Sequence, residues 1–69
     1  MIGLLLVSHS IKITDGIKDL IVEMTSDSVP IVSCGGTDDG SLGTSAERIV
    51  NGINELSECD HILIFTEIG

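Results

Sequence analysis

Basic residues and aromatic side chains are both scarce in this chain of 69 residues. Three Lys and Arg residues stand against eleven Asp and Glu residues, the formal net charge is −8, and Phe65 is the only aromatic residue. Nucleic-acid binding needs clustered Lys and Arg to neutralise phosphates, and single-strand binding needs aromatic rings on which bases stack. The sequence therefore argues against a nucleic-acid partner, and its acidity favours protein partners with a basic docking face.

Cysteines and long apolar runs are also few. The two cysteines do not make a disulfide framework, and no apolar run approaches the roughly 20 residues of a membrane span. The N-terminus lacks the basic segment, the apolar segment and the cleavage site of a signal peptide. These absences predict a soluble, cytoplasmic protein without a membrane partner.

The motifs of common cofactor and metal sites are missing as well. No Gly-Lys-Ser/Thr of a Walker A loop occurs, no GxGxxG follows the first apolar run, and the acids at Asp38 and Asp39 lack the ligand pattern of an EF-hand. Cys34 and Cys59 fall at opposite ends of the sheet predicted below, which argues against a disulfide or a shared zinc site. We therefore expect no cofactor and no metal.

Five elements can be predicted from the apolar pattern. Short unbroken apolar runs predict buried strands at Ile2–Val7, Pro30–Cys34 and His61–Phe65. The first helix is predicted from an apolar stripe, with Asp15 in its first turn, and the second from a capping box over residues 44–47 followed by another stripe. The stripes consist of Ile13, Ile17, Leu20, Ile21 and Met24, and of Ala46, Ile49, Val50, Ile53 and Leu56.

Alternation of strands and helices predicts an α/β fold with a parallel sheet in the order 2-1-3 and one helix on each face. Residues 1–69 then form one domain, and a chain of this size buries only about 60% of its surface. Strand 3 would be an edge strand that is apolar on both faces, which predicts that the chain is not a stable isolated monomer.

Chemistry-bearing residues gather at one edge of this sheet. His9 follows strand 1, Glu67 follows strand 3, and the glycine loop, residues 35–43, leaves strand 2 at the same carboxyl edge. A neutral imidazole is a nucleophile at pH 7, a carboxylate beside it can orient the ring, and amides and hydroxyls can cradle phosphate. We predict that His9 accepts a phosphoryl group, that Glu67 orients it, and that the phosphate is bound by Ser8, Ser10, Gly36, Thr37, Gly43 and Thr44.

Each of these residues also has a simpler explanation. After a strand, Ser8-His9-Ser10 is often just a polar turn that enters a helix, and position alone favours that interpretation. Glu67 alone would more often be a solvated loop acid. His61 precedes strand 3, at the opposite end of the sheet, so we interpret it as a strand-end residue without a catalytic role.

Two segments carry a resemblance to a known family. Residues 2–10, IGLLLVSHS, resemble the start of the mannose-type IIA domains of the phosphotransferase system (PTS). Residues 35–45, GGTDDGSLGTS, are similar more narrowly to the phosphotransferase subunits of bacterial dihydroxyacetone kinases. The resemblance covers the whole chain and matches the family's phosphorylated histidine to His9 and its orienting acid to Glu67.

The resemblance implies a specific role. The family's histidine receives a phosphoryl group from HPr, carries it on the ring nitrogen remote from the backbone, and passes it to ADP bound by the nucleotide subunit of the kinase. Family domains are usually homodimers and continue for another helix, a fourth strand and a closing helix, so residues 1–69 would be the N-terminal part of such a domain. The alternatives are a non-catalytic interaction fragment of this fold and a sugar-transport IIA domain.

Overall fold

The computed structural model describes residues 1–26 and 28–67, and it has the predicted order of elements. The strands are β1 (Ile2–Ser8), β2 (Ile31–Gly35) and β3 (His61–Glu67), and the helices are α1 (Ile11–Thr25) and α2 (Ala46–Glu55). Both neighbours of β1 pair with it in parallel, giving the order β2-β1-β3. The prediction of an α/β fold with a parallel 2-1-3 sheet is therefore confirmed.

The register of the sheet aligns the carboxyl ends of all three strands. Ser8, at the end of β1, lies opposite Gly35 on one side and Glu67 on the other. His61 lies opposite Ile2, at the amino end of β1. The two histidines of the chain therefore belong to opposite edges of the sheet, since His9 directly follows Ser8.

The core lies mainly between the sheet and α2. Leu5, Val7, Cys34 and Leu56 form a buried cluster, and Leu5 has no exposed surface. Gly52 lets α2 approach this cluster closely, because a Cβ atom there would lie 2.6 Å from the Cys34 Sγ. Burial of these apolar side chains is the main stabilising contribution in a sheet of this size.

Polar contacts join α1 to the other face of the sheet. Thr14 is almost fully buried and accepts a hydrogen bond of 3.0 Å from the Gly35 N–H, while the Ser33 hydroxyl donates to the Asp15 carboxylate at 2.6 Å. A Cβ on Gly35 would collide with the Ser10 carbonyl oxygen, so the start of α1 lies directly against the end of β2. The two helices cover opposite faces, as expected for right-handed crossovers.

Several predicted boundaries shift by one or two residues. α1 begins at Ile11, so Asp15 lies beyond the first turn and the prediction of a first-turn acid is wrong. The residue that caps α2 is Ser45, whose hydroxyl accepts the Arg48 N–H at 3.3 Å. The predicted capping box over residues 44–47 is therefore wrong, because Thr44 lies before the helix and the third helical position is not an acid. β2 begins one residue after Pro30.

β3 is an apolar edge strand, as predicted. Leu63, Ile64 and Phe65 are 49%, 52% and 56% exposed. Part of α1 is open too, including most of its predicted apolar stripe. The exposed members of that stripe are Ile13, Ile17, Leu20 and Met24. Neither helix in the described part of the chain has the length and hydrophobicity to cross a membrane.

Candidate functional site

His9 lies exposed just beyond the end of β1, and the segment that ends the glycine loop contacts it twice. The Gly43 N–H donates to the His9 carbonyl oxygen at 2.8 Å, and the Thr44 Oγ1 lies 2.7 Å from the His9 Nδ1. Among the described residues, no hydrogen bond reaches the Nε2 of this ring. The protein therefore holds one nitrogen of an exposed ring.

Glu67 contacts the strand that carries His9 rather than the imidazole itself. The Ser8 hydroxyl donates to the Glu67 carboxylate at 2.7 Å, and the Ser10 N–H donates to the Ser8 Oγ at 3.2 Å. Ser8 is fully buried. The carboxylate thus braces the backbone on both sides of His9 through one buried hydroxyl.

The glycine loop is folded by hydrogen bonds of its own main chain. Gly36, Gly40 and Gly43 have φ angles of 73°, 86° and 142°, in the region that favours glycine. The Gly36 N–H donates to the Ser8 carbonyl oxygen at 3.0 Å. The amides of Gly36 and Gly43 therefore donate to the carbonyl oxygens of Ser8 and His9. These two hydrogen bonds hold the loop next to the end of β1.

An acid anchors the tip of this loop. The Thr37 hydroxyl donates to Asp39 at 2.6 Å, and the Ser41 N–H donates to the same carboxylate oxygen at 3.0 Å. The hydrogen bond from Thr37, and after it those from Ser41, lower the pKa of Asp39 from 3.8 to about 2. Asp39 is therefore ionised at neutral pH and holds the turn as a hydrogen-bond acceptor.

An open hollow of about 640 Å³ adjoins the loop, with Thr44 between it and His9. Its lining is polar and contains hydroxyls and two carboxylates. The lining residues are Thr37, Asp38, Asp39, Ser41, Thr44 and Ser45. Small apolar ligands bind in enclosed, mostly apolar pockets. A hollow this open and acidic is better suited to contact with the surface of another protein.

The start of α1 offers backbone N–H donors, whereas the amides of Gly36 and Gly43 in the glycine loop are already hydrogen-bonded. Ser10 is the N-cap of α1, yet its hydroxyl makes no capping hydrogen bond. The first amides of a helix lack partners inside the helix and carry partial positive charge. This end of α1 follows His9 by one residue, so its donors begin next to His9 in the chain.

A second hollow of about 210 Å³ lies beside Cys34, between β2 and α2. Burial raises the pKa of the Cys34 thiol above its usual 9.0, while Arg48 lowers it and Glu55 raises it. A protonated thiol is a poor nucleophile. Cys34 and Cys59 are both free, and no group of three or more His, Cys, Asp or Glu residues within residues 1–26 and 28–67 is placed to hold a metal ion.

The predicted site residues therefore divide into three groups. Thr44 contacts the His9 ring, and Glu67 reaches it only through Ser8. Five other phosphate ligands were predicted. Two of their amides and two of their hydroxyls are already hydrogen-bonded within the protein, and the fifth residue has a hydroxyl that makes no capping hydrogen bond. In that order they are Gly36 and Gly43, Thr37 and the buried Ser8, and Ser10.

Two contacts of the candidate site were missed from the sequence. Nothing in the pattern pairs Thr44 with His9, because the loop between them brings together residues 35 positions apart. The Thr37-x-Asp39 spacing does indicate a local turn of the kind that Asp side chains form, and it could have identified the loop anchor.

The comparison with protein families decides the classification. The model of the family described as the PTS system fructose IIA component matches residues 3–69. The chain belongs to this family. The predicted resemblance to IIA domains is thereby confirmed, and a phosphocarrier of the PTS is the general type of function that the family indicates.

Relatives within this family place the chain more narrowly. It is 52% identical to the PEP-dependent dihydroxyacetone kinase 2, phosphoryl donor subunit DhaM, of Listeria innocua, over all 69 residues and 55% of that relative. It is 39% identical to the PTS-dependent dihydroxyacetone kinase, phosphotransferase subunit DhaM, of Lactococcus lactis, over 97% of this chain and 53% of that one. The chain spans about half the length of these curated relatives.

A solved structure has the same fold over almost the whole chain. The crystal structure of the protein of unknown function EF1359 superposes with a TM-score of 0.83 at 47% sequence identity, covering 99% of this chain and 52% of that one. At this identity the neighbour supports both the fold and the close relationship of the two sequences.

Proposed function

We propose that His9 is the phosphoryl-accepting residue of a PTS phosphocarrier that serves a dihydroxyacetone kinase. The observation that carries the proposal is the state of the His9 ring, which is exposed and held at Nδ1 by Thr44. An exposed ring that is held at one nitrogen suits a nucleophile that must meet a phosphorylated protein and then a second partner.

The proposed reaction moves one phosphoryl group in two displacements. In the first, the lone pair of the His9 Nε2 attacks the phosphorus atom carried by HPr, the N–P bond forms, and the electron pair of the broken bond stays with the donor. In the second, a β-phosphate oxygen of ADP attacks the same phosphorus, the Nε2–P bond breaks, and its electron pair returns to His9. ADP would be held by the nucleotide subunit of the kinase.

The surroundings of His9 support such a carrier. Ser10 and the first amides of α1 would bind the phosphoryl oxygens, with Thr37 and Thr44 beside them on the wall of the open hollow. Ser8, Gly36 and Gly43 would hold the backbone that positions the ring. The Glu67 carboxylate would favour the positive charge of the phosphorylated imidazole while it braces Ser8.

The names of the relatives support the choice of pathway. The relatives in Listeria innocua and Lactococcus lactis are phosphoryl donor or phosphotransferase subunits of dihydroxyacetone kinases. We therefore propose HPr as donor, the ADP-binding kinase subunit as acceptor, and the cytoplasm as the place of reaction. The half-exposed apolar side chains of β3 favour association, so we also propose that the working form is a homo-oligomer.

Phosphoryl uptake tests this proposal directly. The chain would be incubated with phosphoenolpyruvate, enzyme I and HPr, and its intact mass measured before and after acid treatment. We expect one acid-labile phosphoryl group, which His9→Ala abolishes. The matched control is His61→Ala, at the opposite edge of the sheet, which should leave uptake nearly unchanged.

Two results would contradict the proposal. Uptake that persists in His9→Ala would assign the phosphoryl group to another residue. A folded chain that takes up nothing would favour the second candidate, a non-catalytic interaction fragment of this fold, for which the exposed apolar surfaces of α1 and β3 are the supporting observation.

A further inference from the structure

The His9 ring offers two nitrogens, and the structure treats them differently. Nδ1 lies 2.7 Å from the Thr44 hydroxyl oxygen. A neutral imidazole carries its proton on one nitrogen and its nucleophilic lone pair on the other. A group that contacts Nδ1 therefore influences which nitrogen carries the proton. When the proton is on Nδ1, the lone pair is on Nε2 and can attack an incoming phosphoryl group.

We infer that Thr44 is a positioning residue that accepts a hydrogen bond from the His9 Nδ1–H and so keeps the lone pair on Nε2. This inference rests on the proposed function, because it concerns the nucleophile of that same site. The opposite arrangement, in which the Thr44 hydroxyl donates to Nδ1, would place the proton on Nε2 and leave no lone pair there for attack.

The main chain fixes the position of Thr44 before any side chain acts. The preceding residue, Gly43, donates its N–H to the His9 carbonyl oxygen at 2.8 Å, and Thr44 itself forms an isolated parallel bridge with Gly36. A Cβ on Gly43 would lie 2.9 Å from the Thr37 Cγ2, and its φ of 142° is unfavourable for other residues. Thr44 is therefore held beside the ring from two directions.

The same contact is useful at both stages of the reaction. After attack, the ring is positively charged and carries a proton on Nδ1 with phosphorus on Nε2. A hydroxyl oxygen that accepts from Nδ1–H before the attack accepts the stronger, charge-assisted hydrogen bond afterwards, without moving. Thr44 would thus stabilise the phosphorylated ring relative to the free one.

Thr44 and Glu67 then have separate tasks. Glu67 reaches Ser8, and Ser8 receives the Ser10 N–H, so the acid controls the backbone around His9. Within the described residues, no hydrogen bond joins Glu67 to the His9 ring. The orientation and the tautomer of the ring therefore depend on Thr44, the residue that contacts it.

Nitrogen NMR of the chain labelled with [15N]histidine tests the inference without any phosphoryl transfer. Two-bond proton–nitrogen correlations report which nitrogen of each neutral histidine carries the proton, and His61 serves as the internal reference. We expect His9 to be mainly protonated on Nδ1. In Thr44→Val, which keeps the shape but removes the oxygen, we expect the population to shift toward the Nε2–H form and phosphoryl uptake to slow about two- to tenfold, the range that one hydrogen bond supplies.

Two further variants make the result specific. Thr44→Ser keeps the hydroxyl and should restore both the tautomer and the rate. Thr25→Val removes a hydroxyl that donates to the Ile21 carbonyl oxygen at 2.8 Å, at the far end of α1, and should change neither.

The outcomes separate the inference from the proposed function. A wild-type His9 that is mainly protonated on Nε2, or a tautomer population that Thr44→Val leaves unchanged, would overturn the inference even if His9 is phosphorylated. A chain that takes up no phosphoryl group, while His9 keeps an Nδ1 proton that depends on Thr44, would overturn the proposed function alone.

Discussion

Replacing Gly52 with alanine should destabilise the chain, although alanine is the better helix former. The new Cβ would lie 2.6 Å from the Cys34 Sγ and 2.7 Å from the Leu5 Cδ1. Those two residues are 3% and 0% exposed, so neither side chain has open space into which it can move. Overpacking of this kind costs about 1–3 kcal/mol, whereas the gain in helix propensity is only about 1 kcal/mol. The expected result is a net loss of up to about 2 kcal/mol in the free energy of unfolding.

The matched control is Gly16→Ala in α1. A Cβ at that position would meet no atom within 4 Å. Only the gain in helix propensity and the restriction of the unfolded chain remain, which together stabilise by about 0.5–1 kcal/mol. The same chemical change should therefore have opposite signs in the two helices.

Urea unfolding followed by far-ultraviolet circular dichroism measures both variants. The midpoint should fall for Gly52→Ala and rise for Gly16→Ala, with unchanged slopes. All samples need one protein concentration, because self-association shifts the midpoint. Cys34→Ala removes the nearest obstructing atom, so the double variant with Gly52→Ala should lose less than the sum of the single losses. If Gly52→Ala stabilised the chain as much as Gly16→Ala, the described packing of α2 on the sheet would be wrong.

Two other predictions concern the acids of the site. Glu67→Gln keeps a hydrogen-bond acceptor for Ser8 but removes the negative charge. Phosphoryl uptake should therefore slow about fivefold, corresponding to about 1 kcal/mol, with the fold intact. An unchanged rate would mean that Glu67 has only a structural role. Asp39 has a folded-state pKa of about 2, lowered from 3.8, so its contribution to stability is present above pH 3.8 and is lost as the pH falls through about 2. Carboxyl carbon NMR should show that titration, and Thr37→Val should move it to higher pH.

Most of the fold could be predicted from the sequence because burial leaves a direct pattern. The unbroken apolar run of β1 indicates a strand covered on both faces, and Leu5, at its centre, has no exposed surface. Two helical stripes of sufficient length then leave only a parallel sheet, whose crossovers have a fixed hand. The edge position of β3 follows from the same argument.

The details of the site depend on contacts that the pattern of apolar and polar residues does not reveal. Thr44 and Ser45 are both good helix caps by residue type. In the structure Ser45 caps α2, while the hydroxyl of Thr44 contacts the His9 ring. The partner of Glu67 is set by sheet register, which places it opposite Ser8 rather than beside the ring. A shift of one residue at either place would exchange the roles of neighbouring side chains.

The pairing of β1 with β3 has a consequence for the order in which the site forms during synthesis. The hydrogen bond from Ser8 to Glu67 joins residues 59 positions apart, and pairings of such long range are slow to form. On the ribosome, the segment with His9 and the glycine loop emerges well before the acid that steadies it. A nascent chain therefore carries its nucleophile early, while the brace on its backbone is completed only when β3 joins the sheet.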